Sequence, residues 1–176
     1  MGGWRWNTFF KTLAADFAVF GIPNIIRLAM MGNSGGIKFT LGGFLMFSLL
    51  LPLQGIAEEM LYRSYTMQTA GNWFRIPVIG MIAQILFFSV HPYNIIGRII
   101  IALSALLYGL ICVISRGIEA SSALHILNNF TGIFMAGLGF GSIIAEQTVF
   151  DSVFVLVLKL LFFPVYPLCR QKTSLV

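Results

Sequence analysis

Residues 39–63 read FTLGGFLMFSLLLPLQGIAEEMLYR, an apolar run that ends in two adjacent glutamates and an arginine. A charged side chain in lipid costs roughly 2.5–3.5 kcal/mol on insertion scales, so Glu58, Glu59 and Arg63 are candidates for a functional role. Glu59 and Arg63 are four residues apart, in the orientation that favours an ion pair on one helix face. Glu58 is turned by about 100°, because an α-helix has 3.6 residues per turn. The stretch predicts one paired carboxylate and one that points elsewhere. A plain ion pair at the membrane surface is the simpler alternative.

The composition indicates a membrane protein. The 176 residues are 58% hydrophobic and 10% charged, with a mean hydropathy of +0.90, whereas soluble domains carry about 25% charged residues. We therefore expect an integral membrane protein surrounded by the lipid bilayer. The net charge of +5 includes no basic run of the kind that binds nucleic acid, so no nucleic-acid partner is expected. Cys112 and Cys169 show neither a disulfide framework nor metal-ligand spacing.

Apolar segments predict a bundle of membrane helices. A helix needs about 20 apolar residues to cross a bilayer, with a range of roughly 17–25. The candidate spans are residues 13–31, 39–53, 76–89, 99–115, 120–139 and 152–168. Pro52 is expected to kink or end the second span before the glutamate pair. We predict an all-α fold, a polytopic transmembrane helical bundle of about six membrane segments, in a single domain that covers residues 1–176.

Basic residues predict the orientation of this bundle. Six alternating spans place most loop cations on one side, namely Arg5, Lys11, Arg75, Arg116, Arg170 and Lys172. Because loops rich in lysine and arginine stay in the cytoplasm, both termini are predicted to be cytoplasmic.

Both histidines of the chain, His91 and His125, lie in apolar segments. His125 and Asn129 are four residues apart on one helix face, where an imidazole can relay a proton and an amide can donate to an oxyanion. His91 follows Phe87 by one turn. Taken singly, helix capping explains His91 and interhelical hydrogen bonding explains His125. Taken together, Glu58, His91 and His125 follow one another at 33 and 34 residues, so three helices can each deliver one group to a shared water molecule.

Three motifs follow in order along the chain: EEMLYR at 58–63, FFSVH at 87–91 and HILNN at 125–129. They resemble the motifs Glu-Glu-x-x-x-Arg, Phe-x-x-x-His and His-x-x-x-Asn of the CPBP family, also called the Abi family. This family contains CAAX proteases and bacteriocin-processing enzymes. The match covers residues 58–129, which form the motif core of the predicted domain. Tyr62 and Ser64 depart from the residues that are frequent there, and neither departure removes a reacting group.

The resemblance implies an intramembrane endopeptidase that cleaves a membrane-associated peptide or protein, in a multi-pass protein of a bacterial cell membrane. By this resemblance the catalytic residues are Glu58, His91, His125 and Asn129. Glu58 would activate water with His91, while His125 and Asn129 would stabilise the oxyanion. Glu59 and Arg63 would order the site. Family members trim prenylated C-termini or act in bacteriocin maturation, self-immunity and peptide signalling, so the substrate class stays open.

No cofactor is predicted, and a zinc-dependent version of the same protease, a metalloendopeptidase, is the alternative. Two imidazoles and a carboxylate are ligands that zinc accepts. However, the chain has no His-Glu-x-x-His pair, and the amide of Asn129 is a poor zinc ligand. A metal-free glutamate mechanism is therefore favoured.

Two other readings compete with this one. Gly32-Asn-Ser34-Gly35 fits the Gly-x-Ser-Gly pattern of rhomboid proteases, but there the His-x-x-x-Asn element precedes the serine, and here it follows. We interpret Ser34 as part of a turn. The same ionisable groups would also suit a non-enzymatic immunity or scaffold protein, or a proton-coupled carrier.

Glu58, His91 and His125 must lie at one depth in the membrane to form a site, and two arrangements would allow this. With six alternating spans, Glu58 and His125 lie toward the cytoplasm, whereas His91 ends a span that runs outward. Residues 76–89 extend about 21 Å as a helix, less than the ~30 Å hydrocarbon core. Either His91 lies in the middle of the membrane, or residues 52–65 form a re-entrant segment.

Overall fold

The computed structural model describes residues 3–32, 35–75, 79–80, 82, 93–140 and 148–169. The named elements in this part of the chain are all helical: α1 (Trp6–Met30), α2 (Leu41–Phe74), α3 (Ile95–Ser115), α4 (Glu119–Gly137), α5 (Val149–Leu161) and α6 (Tyr166–Cys169). Two π-helical stretches interrupt them, Phe17–Gly21 in α1 and Met60–Thr66 in α2. The predicted all-α fold is confirmed.

Three of the described helices are long and apolar enough to cross a membrane: α1 with 25 residues, α2 with 34 and α3 with 21. α4 has 19 residues and α5 has 13. The predicted number of about six spans is therefore approximate. Most of the predicted span 76–89 lies outside the described residues. The apolar helices support an integral membrane protein.

Helix α2 differs from its predicted course. It continues through Pro52 and both glutamates to Phe74, so Pro52 does not end the span, and a kink at this position stays a prediction. The helix is continuous through residues 52–65, which argues against the re-entrant alternative. One polar pair is formed within the helix itself, since Gln54 Nε2 donates to Glu58 Oε1 at 2.9 Å. At 1.5 Å per residue, α2 is about 50 Å long, so it must tilt or extend beyond a ~30 Å hydrocarbon core.

Side-chain caps fix where three helices begin. Thr40 Oγ1 accepts a hydrogen bond from Gly43 N at 3.1 Å, and Asn94 Oδ1 accepts from Gly97 N at 2.9 Å. Thr148 Oγ1 accepts from Asp151 N at 3.1 Å. Each cap satisfies a backbone N–H that has no partner within the first helical turn.

Helix α4 lies in the middle of the bundle and packs against α1, α2 and α3. Its first turns consist of small residues, 120–123, that are completely buried. α4 comes close to α2 at Gly55, where an added Cβ would lie 2.7 Å from Ile126 Cγ1. A larger residue at this position would separate the two helices. Gly55 lies one turn before Glu59 and Ile126 follows His125, so this contact sets the distance between the glutamates and the histidine.

An ion pair links the beginning of α1 to the beginning of α4, outside the apolar segments. Arg5 donates from Nε to Glu119 Oε1 at 3.0 Å and from Nη2 to Oε2 at 2.5 Å. A third bond runs from Arg5 Nη1 to Ser115 O at 2.8 Å. Burial raises the pKa of the Glu119 carboxyl, but the hydrogen bonds from Arg5 outweigh burial and lower that pKa below its usual value. The bidentate pair thus holds α1, α3 and α4 together at one end of the bundle.

We expect Arg5→Met to destabilise the protein by about 1–3 kcal/mol, the range for hydrogen bonds to charged groups. Because the folded-state pKa of Glu119 is lowered, the pair stabilises the fold at neutral pH. This stabilisation is lost as the pH falls through the folded-state pKa. Thermal unfolding in detergent at neutral and acidic pH measures the effect. Lys11→Met removes an exposed cation from the same helix and serves as the control. An unchanged acid dependence in Arg5→Met would contradict this account.

Candidate active site

The buried carboxylate of Glu59 connects α2 to α4. Its side chain is 0% exposed, and Oε1 lies 3.0 Å from Arg63 Nη1 and 2.8 Å from His125 Nδ1. The Glu59–Arg63 ion pair that the spacing predicts is therefore present. Since a carboxylate can only accept, the Nδ1–H of His125 donates to Glu59. This bond fixes the orientation of the imidazole ring.

Glu58 approaches the opposite nitrogen of the same ring. Its Oε2 lies 3.4 Å from His125 Nε2, and its Oε1 accepts from Gln54. The two adjacent glutamates thus reach one imidazole from two sides. Because Nδ1 carries the proton shared with Glu59, Nε2 is either an acceptor or, in the imidazolium form, a donor. A proton can therefore pass between the Glu58 carboxylate and Nε2 of His125.

Tyr108 of α3 forms the wall behind these groups. Its ring centroid lies 5.8 Å from the His125 ring and 5.7 Å from the guanidinium carbon of Arg63. Arg63 Nη2 donates to Ala105 O at 3.5 Å, which also joins α2 to α3. Contact with an aromatic face stabilises a cation that has left water. Arg63, only 1% exposed, is thereby held in place.

Asn129 and Asn128 lie one turn beyond His125 on α4. Asn128 Nδ2 donates to Asn129 Oδ1 at 3.2 Å. This hydrogen bond lies within α4. The bond uses the acceptor of the Asn129 amide and leaves its Nδ2 group as the donor. An amide held in this way suits the predicted donation to an oxyanion.

A cavity of about 240 Å³ opens beside His125. The polar and charged residues that line it come from α1 to α5 and from the segment before α3: Asn24, Arg27, Arg63, Tyr93, Ser104, Tyr108, His125, Asn128, Asn129 and Lys159. Glu58 is not among the described lining residues. His125, which lies 3.4 Å from Glu58, does line the cavity.

Sequence reasoning missed Lys159. Its Nζ donates to Ser104 Oγ at 2.7 Å and lies 5.4 Å from the Tyr108 ring centroid. The available signal was a single lysine within the apolar run FVLVLKLLFF of the last predicted span. A lone charge in such a run indicates function by the same argument that applies to the glutamates.

His91, Phe87 and Ser34 lie outside the described residues. The convergence of His91 with Glu58 and His125 therefore stays a prediction. Among the residues that the structure describes, no group of three or more His, Cys, Asp or Glu side chains is arranged to hold a metal ion. Cys112 and Cys169 are both buried thiols without a disulfide.

The chain also matches a known protein family. The model of the type II CAAX prenyl endopeptidase Rce1-like family matches residues 40–131, more than half of the chain. The chain belongs to this family. The matched region runs from the cap of α2 into α4 and contains all three motifs, so the resemblance to CAAX proteases is confirmed. No curated protein and no solved structure matches the chain. The Rce1-like family is one of peptidases, and this member is an integral membrane protein.

We expect Arg63→Met to destabilise the protein by about 3–5 kcal/mol, because it leaves the Glu59 carboxylate buried without its cation. The double variant Glu59→Gln/Arg63→Met should regain part of that loss, since both buried charges are then gone. Thermal unfolding of Arg63→Met, Glu59→Gln and the double variant gives the coupling energy between the two residues. Additive effects would show that the pair contributes nothing beyond its separate members.

Proposed function

We propose that the chain is an intramembrane endopeptidase that hydrolyses a peptide bond of a membrane-associated peptide or protein, with Glu58 as the base that activates water. The contact that carries this proposal is His125 between Glu58 and Glu59, at 3.4 and 2.8 Å. A carboxylate that orients a histidine, which in turn faces a second carboxylate, is the geometry expected of an acid–base site. Membership of a peptidase family supports the reaction class.

The proposed mechanism uses His125 in its imidazolium form. Glu58 and Glu59 are negative and Arg63 is positive, so a positive His125 makes the four groups neutral as a set. Net neutrality is favoured where charges are withdrawn from water. In this form Nε2 carries a proton that can be donated to the oxyanion. Glu58 Oε1, held by Gln54, is the acceptor for the proton of the attacking water.

Hydrolysis takes place in two steps. The water oxygen bonds to the scissile carbonyl carbon while Glu58 takes one of its protons. The carbonyl oxygen becomes an oxyanion, which accepts hydrogen bonds from His125 Nε2 and Asn129 Nδ2. Protonated Glu58 gives its proton to the leaving nitrogen as the C–N bond breaks. His91 would assist the water, and Glu59 and Arg63 hold the imidazole in place.

The family supports a CAAX-type, lipid-modified substrate. A second point is the depth of the site: the length of α2 supports a site near one membrane face. Glu59 stands about 27 Å along α2 from Leu41, close to the ~30 Å of a hydrocarbon core. His125 is about 9 Å along α4 from Glu119. Both positions lie toward the end of the bundle that holds Arg5. With the cytoplasmic termini proposed from the basic loops, the site would open near the cytoplasmic face.

The zinc alternative is less favoured because its donors already have partners. His125 directs both ring nitrogens at carboxylates, and Glu59 is held by Arg63. Binding of zinc would require these contacts to break, since zinc needs an unprotonated imidazole nitrogen. Metal analysis of the purified protein, together with its activity in chelator, distinguishes the two mechanisms.

We expect Glu58→Gln to lower the cleavage rate by roughly 10²–10⁴-fold, because the amide cannot take the proton of water. The variant should stay folded, since Glu58 lies outside the buried Glu59–Arg63 pair. Membranes that carry either the unmodified chain or Glu58→Gln are compared for newly exposed peptide termini. Glu146→Gln makes the same chemical change outside the three motifs and is the control. Full activity of Glu58→Gln would refute the mechanism, and biological rescue by this variant would favour a non-enzymatic role.

We expect Asn129→Ala to reduce the rate by about 10²–10³-fold, as for the loss of one oxyanion donor. Asn128→Ala should cost less, because Asn128 acts only by holding the Asn129 amide. A cleavage assay that separates kcat from KM tests both variants. If Asn129→Ala raises KM and leaves kcat unchanged, Asn129 binds the substrate and does not stabilise the oxyanion.

A further inference from the structure

The described charged groups that line the 240 Å³ cavity are all cations: Arg27, Arg63 and Lys159. Two of them have anionic partners. Arg63 is paired with Glu59, and Arg27 forms an ion pair with Asp151. Lys159 differs from both, because no carboxylate of the described residues lies within 4.0 Å of its ammonium group.

The ammonium group of Lys159 keeps donor capacity. It carries three N–H donors, and its one hydrogen bond in the described part of the chain goes to Ser104 Oγ. Its other contacts are with the faces of Tyr108 and Phe20, at 5.4 and 5.9 Å. Aromatic faces stabilise the charge without using the N–H groups as an acceptor oxygen would. The cavity therefore presents a cation that is ready to accept an anionic ligand.

Asp16 is a candidate for a resident counter-ion of Lys159, and the cavity that the two residues share is not the 240 Å³ one. It is 3% exposed and lines a separate, small cavity together with Lys159. That cavity has a volume of about 10 Å³, close to the space that one water molecule occupies. Asp16 does not line the larger cavity, so it can balance the charge of Lys159 without occupying that cavity.

Lys159 and His125 both lie close to the ring of Tyr108, which limits the distance between them. The ammonium nitrogen and the His125 ring centroid lie 5.4 and 5.8 Å from the same Tyr108 centroid, so they are no more than about 11 Å apart. An extended peptide spans about 3.3–3.6 Å per residue. A ligand group at Lys159 would therefore be within about three residues of a peptide bond at His125.

We propose that Lys159 is a specificity-determining residue that binds a carboxylate of the substrate, carried within about three residues of the scissile bond. The inference rests on the proposed endopeptidase function. Arg27 and Arg63 add positive potential around the same cavity, which favours an anionic ligand over a neutral one. The carboxylate is either the free C-terminus of the peptide or an acidic side chain near it.

Binding to the inactive Glu58→Gln protein in lipid nanodiscs tests this without catalysis. The probe is a fluorescent farnesylated peptide that ends three residues after the lipidated cysteine, prepared with a free C-terminal carboxylate and with a C-terminal amide. We expect the carboxylate form to bind roughly 10–100-fold more tightly, the range for a hydrogen bond to a charged group. A third peptide, amidated but with aspartate as its last residue, separates the two sources. Tight binding of this peptide assigns the preference to any nearby carboxylate, and weak binding assigns it to the C-terminus.

Substitution of the lysine completes the test. Lys159→Met in the same background should bring the affinities of the first two peptides to within about twofold of each other, whereas Lys38→Met, which removes an exposed cation outside the cavity, should preserve the difference. If Lys159→Met does not fold, Lys159→Gln replaces it, and the peptide pair still reports the preference of the protein that keeps Lys159. Equal binding of the acid and the amide, no saturable binding of either, or an unchanged preference in Lys159→Met would overturn the inference. None of these outcomes bears on the cleavage test of Glu58, so the two proposals fail separately.

Discussion

The structure of the site depends on one carboxylate that has no access to solvent. Glu59 is 0% exposed in a chain whose helices are built for lipid, so its charge must be balanced within the protein. Arg63 supplies the balance from the same helix and His125 from another. The first contact forms wherever residues 59–63 are helical. The second forms only when α2 and α4 are packed together, so the protein obtains an ordered imidazole through its folding.

Packing and chemistry are set by the same few residues. Gly55 permits the close approach of α2 to Ile126, and His125 precedes Ile126 on α4. The small buried residues at the beginning of α4 allow several helices to surround it. Helix association in membranes relies on such small residues, because the hydrophobic effect provides little attraction between helices in lipid. The glutamates therefore meet the histidine at a contact that the bundle needs for its stability in any case.

Local contacts could be predicted from the sequence and distant ones could not. The Glu59–Arg63 pair follows from a spacing of four residues, and composition was sufficient for an all-α membrane fold. The contact between Glu59 and His125 joins residues 66 positions apart, and helical periodicity contains no information on it. The even spacing of Glu58, His91 and His125 and the family motifs indicated that these segments belong to one site. Lys159 was missed for the same reason, since its partner Ser104 is 55 residues away on another helix. Pro52 lies within α2 without ending it for a different reason: a proline removes one backbone hydrogen bond, and a helix that is packed or embedded in lipid tolerates that loss.

The charges around Tyr108 would orient a peptide that binds in the proposed site. Arg63 and His125, which both contact the ring, are balanced by Glu59 and Glu58. Lys159 also contacts the ring, and its candidate counter-ion Asp16 lies in the small cavity that both residues line. A neutral peptide in the cavity would have no reason to prefer one direction along this axis. A peptide with a carboxylate would place that group toward Lys159, and the bond within about three residues of it would face His125. In the proposed site, a cation whose partner Asp16 lies outside the large cavity would select both the substrate and the orientation in which it meets the proposed base, because a single charge dominates the potential of a low-dielectric cavity.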